Sequence, residues 1–386
     1  MPPIASTIQS VPASGIRRIF ELAAGMEDVI PLSVGEPGLA VSQEIRAAGA
    51  RAWREDPINY TPNSGLPALR SAIRGKLALH NGYAVEEEQI HVTAGGAQAL
   101  HMAMTFTLSA GDEILIPDPG YATFAMAPRL LGAVPVPYEL RQERGFLPDV
   151  AELEKLVGPR TRVLLVNSPS NPLGVIFPEE TVRELVGFAA RHDLWIISDE
   201  VYEYLTFEPG FTSFAAVDTE ARVFSIYSFS KTYGLTGARI GYLVTPPGLS
   251  ERFRAAQEAI VSCVSAPGQA AALAAIGGDG SDIAAARAHY AGNIQAACEL
   301  LDSKGVSYQL PAGALYLWID VSYASGGDVA AWAEKFLLEC KVALAPGVAF
   351  GAAGEGWVRV CIAGEREELL QGLSRLPSSQ RIQGED

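Results

Sequence analysis

Three stretches of the sequence place charged or polar residues directly after apolar, strand-like segments. In the first, Trp195-Ile-Ile-Ser leads into Asp199-Glu200-Val-Tyr202. An ionised carboxylate at the end of a buried strand is costly unless a cation meets it. Asp199 is therefore a candidate partner for a bound cation, although a salt bridge or a helix cap explains this segment equally well.

The second stretch, Ser228-Phe-Ser-Lys231-Thr-Tyr-Gly-Leu-Thr-Gly-Ala-Arg239, combines hydroxyls, small residues and two cations. No Asp or Glu occurs between Ala221 and Ser250, in a chain that has 44 of them. Such a segment suits an anion, with Arg239 as a two-pronged donor and Ser228 as a hydroxyl donor. It also leaves Lys231 without a carboxylate nearby in the sequence, which helps an amine to stay neutral and nucleophilic.

The third stretch is a glycine turn, Thr93-Ala-Gly95-Gly96-Ala97-Gln98, between a predicted strand and a predicted helix. Free backbone N–H groups and the helix dipole can hold a phosphate at such a turn. The turn matches neither the dinucleotide fingerprint nor the P-loop. Many strand–helix connections look the same, so this turn alone does not identify a ligand.

Alternating strand-like and helix-like segments carry these three stretches. The apolar runs Arg162–Asn167 and Leu194–Ser198 are typical of strands covered on both faces, and a polar-faced helix over Pro178–His192 joins them. Ser64 and Pro67 predict the capped start of an earlier helix. The alternation predicts an α/β fold with a mostly parallel sheet and helices on both faces. Ligands of such sheets gather at the carboxyl ends of the strands.

The pattern of segments changes near residue 270. Long helical stretches at 282–304 and 327–340 then alternate with short strand candidates, which predicts a second, smaller α+β domain. A length of 386 residues also exceeds what one core usually supports. We expect residues 46–270 to form the large domain, and residues 1–45 and 271–386 to form the small one.

Composition and charge narrow the classes of partner. The net charge of −15 argues against nucleic acid or an anionic membrane, since either needs a cationic surface. No apolar run reaches the roughly 18 residues of a membrane span, and the chain starts without an export segment. The four cysteines lie far apart, without metal-ligand or redox spacing. We therefore expect a cytoplasmic protein with no metal site, membrane partner or nucleic acid partner.

Together these segments resemble the class I/II aminotransferases, which are pyridoxal-phosphate (PLP) enzymes of fold type I with a mostly parallel, seven-stranded type of sheet. The resemblance covers nearly the whole chain in the right order. The matching motifs are Val34-Gly35-Glu-Pro, Tyr60-Thr-Pro-Asn-Ser-Gly65, Gly95-Gly96-Ala97-Gln98, Tyr121, Ser168-Pro-Ser-Asn171-Pro-Leu-Gly174, Asp199-Glu-Val-Tyr202, Ser228-Phe-Ser-Lys231, Arg239-Ile-Gly-Tyr, Pro346-Gly-Val-Ala-Phe-Gly351 and Trp357-Val-Arg359-Val.

The resemblance implies roles for individual residues around PLP. Lys231 would form a Schiff base with the cofactor, and Asp199 would pair with the pyridine nitrogen and make the ring an electron sink. The remaining cofactor contacts that the resemblance implies are Tyr202 and Asn171 at the 3-hydroxyl oxygen, Tyr121 on the ring face, and Gly95, Gly96, Ala97, Ser228 and Arg239 at the phosphate.

The resemblance also implies how the substrate and a second subunit take part. Arg359 would hold the substrate α-carboxylate in a fork together with Asn171, and the loop that contains Gly35 would border the substrate pocket. Tyr60 would reach the phosphate of the neighbouring subunit. The protein would then be a homodimer with shared active sites.

The implied activity is ping-pong transfer of an amino group between an amino acid and a 2-oxo acid, with Lys231 moving the proton. The same scaffold hosts C–S β-lyases, which begin with the same proton abstraction and are the first alternative. A non-catalytic PLP-binding regulator is disfavoured, because related regulators carry a basic DNA-binding domain before motifs that begin here by Gly35. The loop Gly38-Leu-Ala-Val lacks the acidic and aromatic residues usual in relatives, so the amino acid substrate stays open.

Overall fold

A computed structural model describes residues 2–379 of the chain. Its strands, in chain order, are β1 (Ile30–Pro31), β2 (Ile90–Thr93), β3 (Glu113–Asp118), β4 (Val134–Glu139), β5 (Thr161–Asn167), β6 (Trp195–Asp199), β7 (Val223–Ser228), β8 (Gly241–Val244), β9 (Tyr308–Gln309), β10 (Tyr316–Asp320), β11 (Val342–Ala343), β12 (Ala345–Pro346) and β13 (Trp357–Cys361).

The helices alternate with these strands through the first two thirds of the chain. They are α1 (Ser6–Gln9), α2 (Gly15–Ala24), α3 (Gln43–Glu55), α4 (Pro67–Lys76), α5 (Gly96–Thr107), α6 (Ala122–Leu130), α7 (Val150–Leu156), α8 (Glu179–Arg191), α9 (Phe214–Val217), α10 (Phe229–Thr232), α11 (Ser250–Ile260), α12 (Ala266–Gly277), α13 (Ser281–Ser303), α14 (Ser322–Ser325), α15 (Val329–Cys340) and α16 (Arg366–Ser374). No helix within residues 2–379 is long and apolar enough to cross a bilayer.

Seven strands form the central sheet in the order β2-β8-β7-β6-β5-β3-β4. Strand β8 runs antiparallel to both of its neighbours, and the other adjacent pairs are parallel. Because β5, β6 and β7 are parallel neighbours, their carboxyl ends meet at one edge of the sheet. The prediction of an α/β fold with a mostly parallel sheet is confirmed.

Helices cover both faces of this sheet. Leu164 of β5 belongs to a core that includes Phe188 of α8, whereas the next residue, Leu165, belongs to a core that includes Phe124 of α6. Successive side chains of a strand point to opposite faces, so a continuously apolar strand needs cover on each side. The predicted placement of helices on both faces is confirmed.

A second, four-stranded antiparallel sheet has the order β12-β13-β10-β9. Its core combines strands β10 and β13 with helices α13 and α16, as in the packing of Leu317 and Val360 with Leu301 and Leu369. Strand β1, from the amino-terminal part of the chain, pairs in parallel with β11. The first strand is therefore tied to the carboxyl-terminal region.

The start of α4 differs from the prediction. Leu66 occupies the N-cap position, and its N–H donates to the side-chain oxygen of Gln269 at 2.7 Å. The Ser64 hydroxyl instead lies 3.2 Å from Nδ1 of the buried His91. The prediction that Ser64 caps this helix is therefore wrong, because His91 engages its hydroxyl, whereas Pro67 does lie in the first turn.

Candidate active site

The carboxyl ends of β5, β6 and β7 open on a cavity of about 400 Å³. Strand β13 of the second sheet and the loop after β1 complete its wall. Eleven of the thirteen residues predicted for the site line this cavity: Gly35, Gly96, Ala97, Tyr121, Asn171, Asp199, Tyr202, Ser228, Lys231, Arg239 and Arg359.

Lys231 lies in the short helix α10, directly after β7. Its Nζ donates a hydrogen bond of 2.6 Å to the Gly35 carbonyl. Among the described lysines, Lys76 and Lys155 form ion pairs with carboxylates and Lys231 does not. The amine thus faces the cavity, anchored by one backbone oxygen and without a carboxylate partner.

Asp199 ends strand β6 and is 7% exposed. One of its carboxyl oxygens accepts a 3.3 Å hydrogen bond from the Val201 N–H. Burial, reinforced by the neighbouring Glu200, raises the pKa of Asp199 to about 7, although the Val201 N–H and Lys231 act in the opposite direction. A buried carboxyl group with a raised pKa gains most from a cation placed against it. This position is therefore suited to a protonated ring nitrogen.

Arg359 lies on β13 and is 3% exposed. One Nη donates to Asn171 Oδ1 at 2.9 Å and the other to the Ser33 carbonyl at 2.5 Å. The guanidinium carbon lies 4.2 Å from the ring centre of Tyr316, and Nε has no hydrogen-bond partner in the described part of the chain. None of the ion pairs among residues 2–379 involves Arg359. A buried guanidinium with an unused donor and no carboxylate is suited to an anion such as a substrate carboxylate.

The glycine turn before α5 approaches Arg239 closely. Gly95 has a φ of +79°, and a Cβ at this position would collide with the Arg239 guanidinium. The Gly95 N–H donates to the Thr93 carbonyl at 2.8 Å, and Gly95 does not line the cavity. Gly96 and Ala97 are the first residues of α5, where backbone N–H groups lack partners within the helix.

Ser228 and Arg239 lie beside this helix start. The Ser228 hydroxyl oxygen accepts a 3.1 Å hydrogen bond from the Ser230 N–H, which caps α10 and leaves the hydroxyl proton free to be donated. One Nη of Arg239 donates to the Thr236 carbonyl at 2.9 Å. Backbone N–H groups, a hydroxyl and a guanidinium converge here, as a phosphate requires.

Tyrosine side chains line the part of the cavity between the Arg359 guanidinium and the start of α5. The hydroxyls of Tyr202 and Tyr316 are 2.8 Å apart, and burial raises the pKa of Tyr202, so its hydroxyl keeps its proton. Tyr121 precedes α6 and packs edge-on against Phe124. Tyr60 is 90% exposed and does not line the cavity of its own chain.

Nine further residues that line the cavity were not among the predicted ones, and they include Tyr316 and Asn167. Tyr316 contacts Tyr202 and Arg359, and a Cβ at Gly35 would collide with its hydroxyl. Asn167 donates to the Asp199 carbonyl at 2.9 Å and accepts from the Asn171 N–H at 2.8 Å. Asn167 ends a buried strand, so the rule that ligands gather at strand ends could have found it. Tyr316 lies within an apolar strand and gave no such signal.

The cavity fits PLP on three independent observations. None of the ion pairs among residues 2–379 involves the buried Asp199 carboxyl, and a pyridinium nitrogen would supply the missing cation. Donors suited to a phosphate converge at the start of α5. Lys231 lines the same space, as a group that must meet the cofactor aldehyde would.

Comparison with known proteins points in the same direction. The family model described as aminotransferase class I and II matches residues 27–376. The aspartate aminotransferase of Pyrococcus abyssi is 35% identical over 94% of each chain, and aromatic-amino-acid aminotransferase 2 of Thermococcus litoralis is 33% identical over 97% of each. The structure of Thermus thermophilus aspartate aminotransferase with maleate superposes with a TM-score of 0.92, at 30% identity, over 99% of this chain and 100% of that one. The chain therefore belongs to the class I and II aminotransferases, fold-type I enzymes that use PLP to move an amino group between an amino acid and a 2-oxo acid.

Proposed function

We propose that transamination takes place in the cavity between Lys231 and Arg359, with Lys231 as the catalytic amine and Arg359 as the carboxylate-binding group. The observation that carries this proposal is the buried Arg359 guanidinium, which has an unused Nε donor and no ion pair within residues 2–379. Lys231 lines the same cavity and faces it without a carboxylate partner in that range. The proposed site thus has an anion-binding group and an amine on one continuous surface.

Residues around the cavity would bind the ring nitrogen, the 3-hydroxyl oxygen, the ring face and the phosphate of PLP. Asp199 would pair with the ring nitrogen, and Tyr202 with Asn171 would hold the 3-hydroxyl oxygen. Tyr121 would cover the ring face. The phosphate would accept hydrogen bonds from the N–H groups of Gly96 and Ala97, the Ser228 hydroxyl and the Arg239 guanidinium. Gly95 is left out of this set because its N–H already donates to the Thr93 carbonyl.

Bound PLP supplies an aldehyde that takes up the amino group and a ring that withdraws electrons from the substrate Cα. Arg359 and Asn171 orient the substrate carboxylate, which presents the Cα–H bond to Lys231. The Lys231 amine would take the proton from Cα as a base and then, as an acid, deliver it to the carbon of the cofactor's aldehyde group. Asp199 would keep the ring nitrogen protonated, which is the form in which the ring withdraws electrons best.

We further propose a homodimer in which Tyr60 serves the partner's site. The exposed apolar side chains Trp53, Ile58 and Ile260 lie on α3, on the loop that follows it and on α11. Asn63, in the same loop as Tyr60, lies 3.4 Å from the Arg254 carbonyl of α11, which brings these segments together. A second copy would bury this apolar surface, and the exposed Tyr60 would then project into its partner.

The division into domains stays a proposal: residues 46–270 as the cofactor domain, and 1–45 with 271–386 as the small domain. Pairing of β1 with β11 supports joining the first segment to the last. Helix α12 spans the proposed boundary at residue 270 and packs on α3 and α4, so the proposed boundary falls within a helix that contacts the large domain.

A cytoplasmic location is also proposed, and the state of the cysteines supports it. All four cysteines, Cys263, Cys298, Cys340 and Cys361, are free. Burial raises the thiol pKa of Cys298, Cys340 and Cys361, which keeps them protonated and slow to oxidise. Such thiols suit a reducing compartment, and fractionation of cells that produce the protein would test the location.

Two measurements test the function. Borohydride reduction of the yellow holoenzyme followed by peptide mapping should place the cofactor on Lys231, and a label on another lysine would contradict the site. A half-reaction screen of the twenty amino acids, followed by cofactor absorbance, should show conversion to the amine form and release of the matching 2-oxo acid. Release of pyruvate and ammonia from cystathionine or cysteine without that conversion would favour a β-lyase.

A further inference from the structure

A buried lysine outside the cavity lies at the end of α4. The Lys76 Nζ donates to the Glu203 carboxylate and to the Tyr242 hydroxyl, the latter at 3.1 Å. It also lies 4.4 Å from the ring centre of Tyr227. The side chains of Lys76 and Glu203 are 6% and 7% exposed, so both charges are removed from solvent.

Three members of this cluster are immediate chain neighbours of proposed site residues. Glu203 follows Tyr202, and Glu200 follows Asp199. Tyr227 precedes Ser228 at the end of β7, where consecutive side chains point to opposite faces. The cluster therefore belongs to the same backbone segments as the site residues, with its side chains directed away from the cavity.

Hydrogen bonds join the cluster into one buried network. Asn81 donates to the second oxygen of Glu203 at 2.6 Å. The Tyr227 hydroxyl donates to Glu200 at 2.8 Å, and Glu200 also accepts from the Ser213 hydroxyl. A displacement of Glu203 or Glu200 would move the backbone that positions Tyr202 or Asp199.

Lys76 supplies the positive charge that pairs with one carboxylate of the network. Three carboxyl groups, Asp199, Glu200 and Glu203, occur within five residues and are all buried. Within residues 2–379, these three carboxyl groups form one ion pair, which joins Glu203 to Lys76. Loss of one partner of a buried pair leaves the other charge unpaired, which is strongly destabilising, whereas loss of both is often nearly neutral.

We propose that Lys76 is a positioning residue of the cofactor site, which acts through Glu203 to hold the segment carrying Asp199 and Tyr202. Lys76 does not line the cavity, so its effect on the cofactor must pass through that segment. The inference rests on the site proposed above. Borohydride labelling of Lys231 in the wild-type protein tests that site separately from the role of Lys76.

The test compares Lys76→Met with the double variant Lys76→Met/Glu203→Gln. Full-length protein is dialysed against a series of PLP concentrations, and the dissociation constant is read with the absorption spectrum of the bound cofactor. Lys76→Met leaves a buried, unpaired carboxylate beside Tyr202 and should weaken PLP binding about tenfold or more. The double variant removes both charges and keeps an amide oxygen that can accept from Asn81, so it should return to within about threefold of wild type.

A matched control separates positioning from general loss of stability. Leu153→Ala removes a fully buried side chain of α7, which packs on β4 and α8 and does not line the cavity. It should lower the urea midpoint by lost packing and leave the PLP dissociation constant within about twofold of wild type. Equal weakening of PLP binding in this control would overturn the proposal.

Two further outcomes would also overturn it. If Lys76→Met binds PLP as wild type does, or if the double variant binds no better than Lys76→Met, then Lys76 does not act through Glu203. If Lys76→Met yields no folded protein, PLP binding by the single variant Glu203→Gln tests the proposal instead, because this change keeps the side-chain volume and the contact with Asn81. It should weaken PLP binding about threefold or more, and unchanged binding in that variant would count against the proposal.

Discussion

Arg359 on β13 donates a 2.9 Å hydrogen bond to Asn171, which lies in the loop after β5. This bond joins the small antiparallel sheet to the carboxyl edge of the central sheet. The proposed carboxylate site therefore depends on both sheets, and so does the position of the substrate relative to Lys231. Each residue also has a second anchor: the Arg359 guanidinium donates to the Ser33 carbonyl, and the backbone N–H of Asn171 donates to the Asn167 side chain.

Arg359→Lys keeps the positive charge and removes the planar fork. The shorter-reaching ammonium cannot give two parallel hydrogen bonds to a carboxylate and also reach Asn171. We expect the apparent KM for both the amino acid and the oxo acid to rise about tenfold or more, which corresponds to the loss of one charge-assisted hydrogen bond. The cofactor absorbance should stay close to that of wild type. Steady-state kinetics with both substrates will check this, and an unchanged KM for both would place the carboxylate elsewhere.

Asp199→Ala removes the carboxylate opposite the ring nitrogen. The variant should still take up PLP, because the phosphate contacts and Lys231 are intact. Its turnover should fall by orders of magnitude, since each unit of lowered ring-nitrogen pKa corresponds to about 1.4 kcal/mol. Single-turnover rates at saturating PLP measure this, and near-normal rates would rule out the electron-sink role of Asp199.

The central features of the fold, and most of the predicted residues that line the candidate cavity, could be placed from the sequence for identifiable reasons. The apolar run of β5 predicts a strand covered on both faces, and the strand after α8 ends at Asp199 as expected. What the sequence did not predict depends on contacts between distant segments. Tyr316 reaches the site from the other sheet, and the Ser64 hydroxyl is engaged by His91 on a neighbouring strand. The Gly95 N–H is likewise used within its own turn, which local sequence does not reveal.

The raised pKa of Asp199 predicts how the stability of cofactor-free protein depends on pH. The folded state holds a proton up to about pH 7, whereas the unfolded carboxyl releases it near its ordinary value. The folded state therefore binds more protons between these values, and stability falls as the pH rises through this window. From about pH 5.5 to about pH 7.5 the loss due to Asp199 should be about 2 kcal/mol.

Asp199→Asn should flatten this pH dependence by that amount, because it removes the titrating group and keeps its shape. Urea unfolding of cofactor-free wild type and variant at both pH values measures the difference. Glu200, whose pKa burial also raises to about 7, is present in both proteins and contributes a slope of the same sign to each. Equal slopes in the two proteins would show that Asp199 does not titrate in this range.

The last prediction concerns the shared active site. Tyr60 is 90% exposed in its own chain and does not line that chain's cavity, although its loop lies near α11. If it serves the partner, each site combines Lys231 of one chain with Tyr60 of the other. Lys231→Ala should then be inactive, and Tyr60→Ala should bind PLP weakly because one phosphate contact is lost. Neither homodimer should be active at limiting PLP.

Mixing and refolding these two variants tests the geometry directly. In a hybrid dimer, one site would carry both lesions and the other would carry neither, so activity at limiting PLP should rise above that of either parent. If Tyr60 served its own chain instead, every hybrid site would keep one lesion and no activity would return. Differential tags isolate the hybrid, so that its formation is verified before the assay. A purified hybrid without recovered activity would contradict sharing of the site and would leave Tyr60 as a surface residue of its own subunit, whereas recovery would require that Tyr60 crosses the interface.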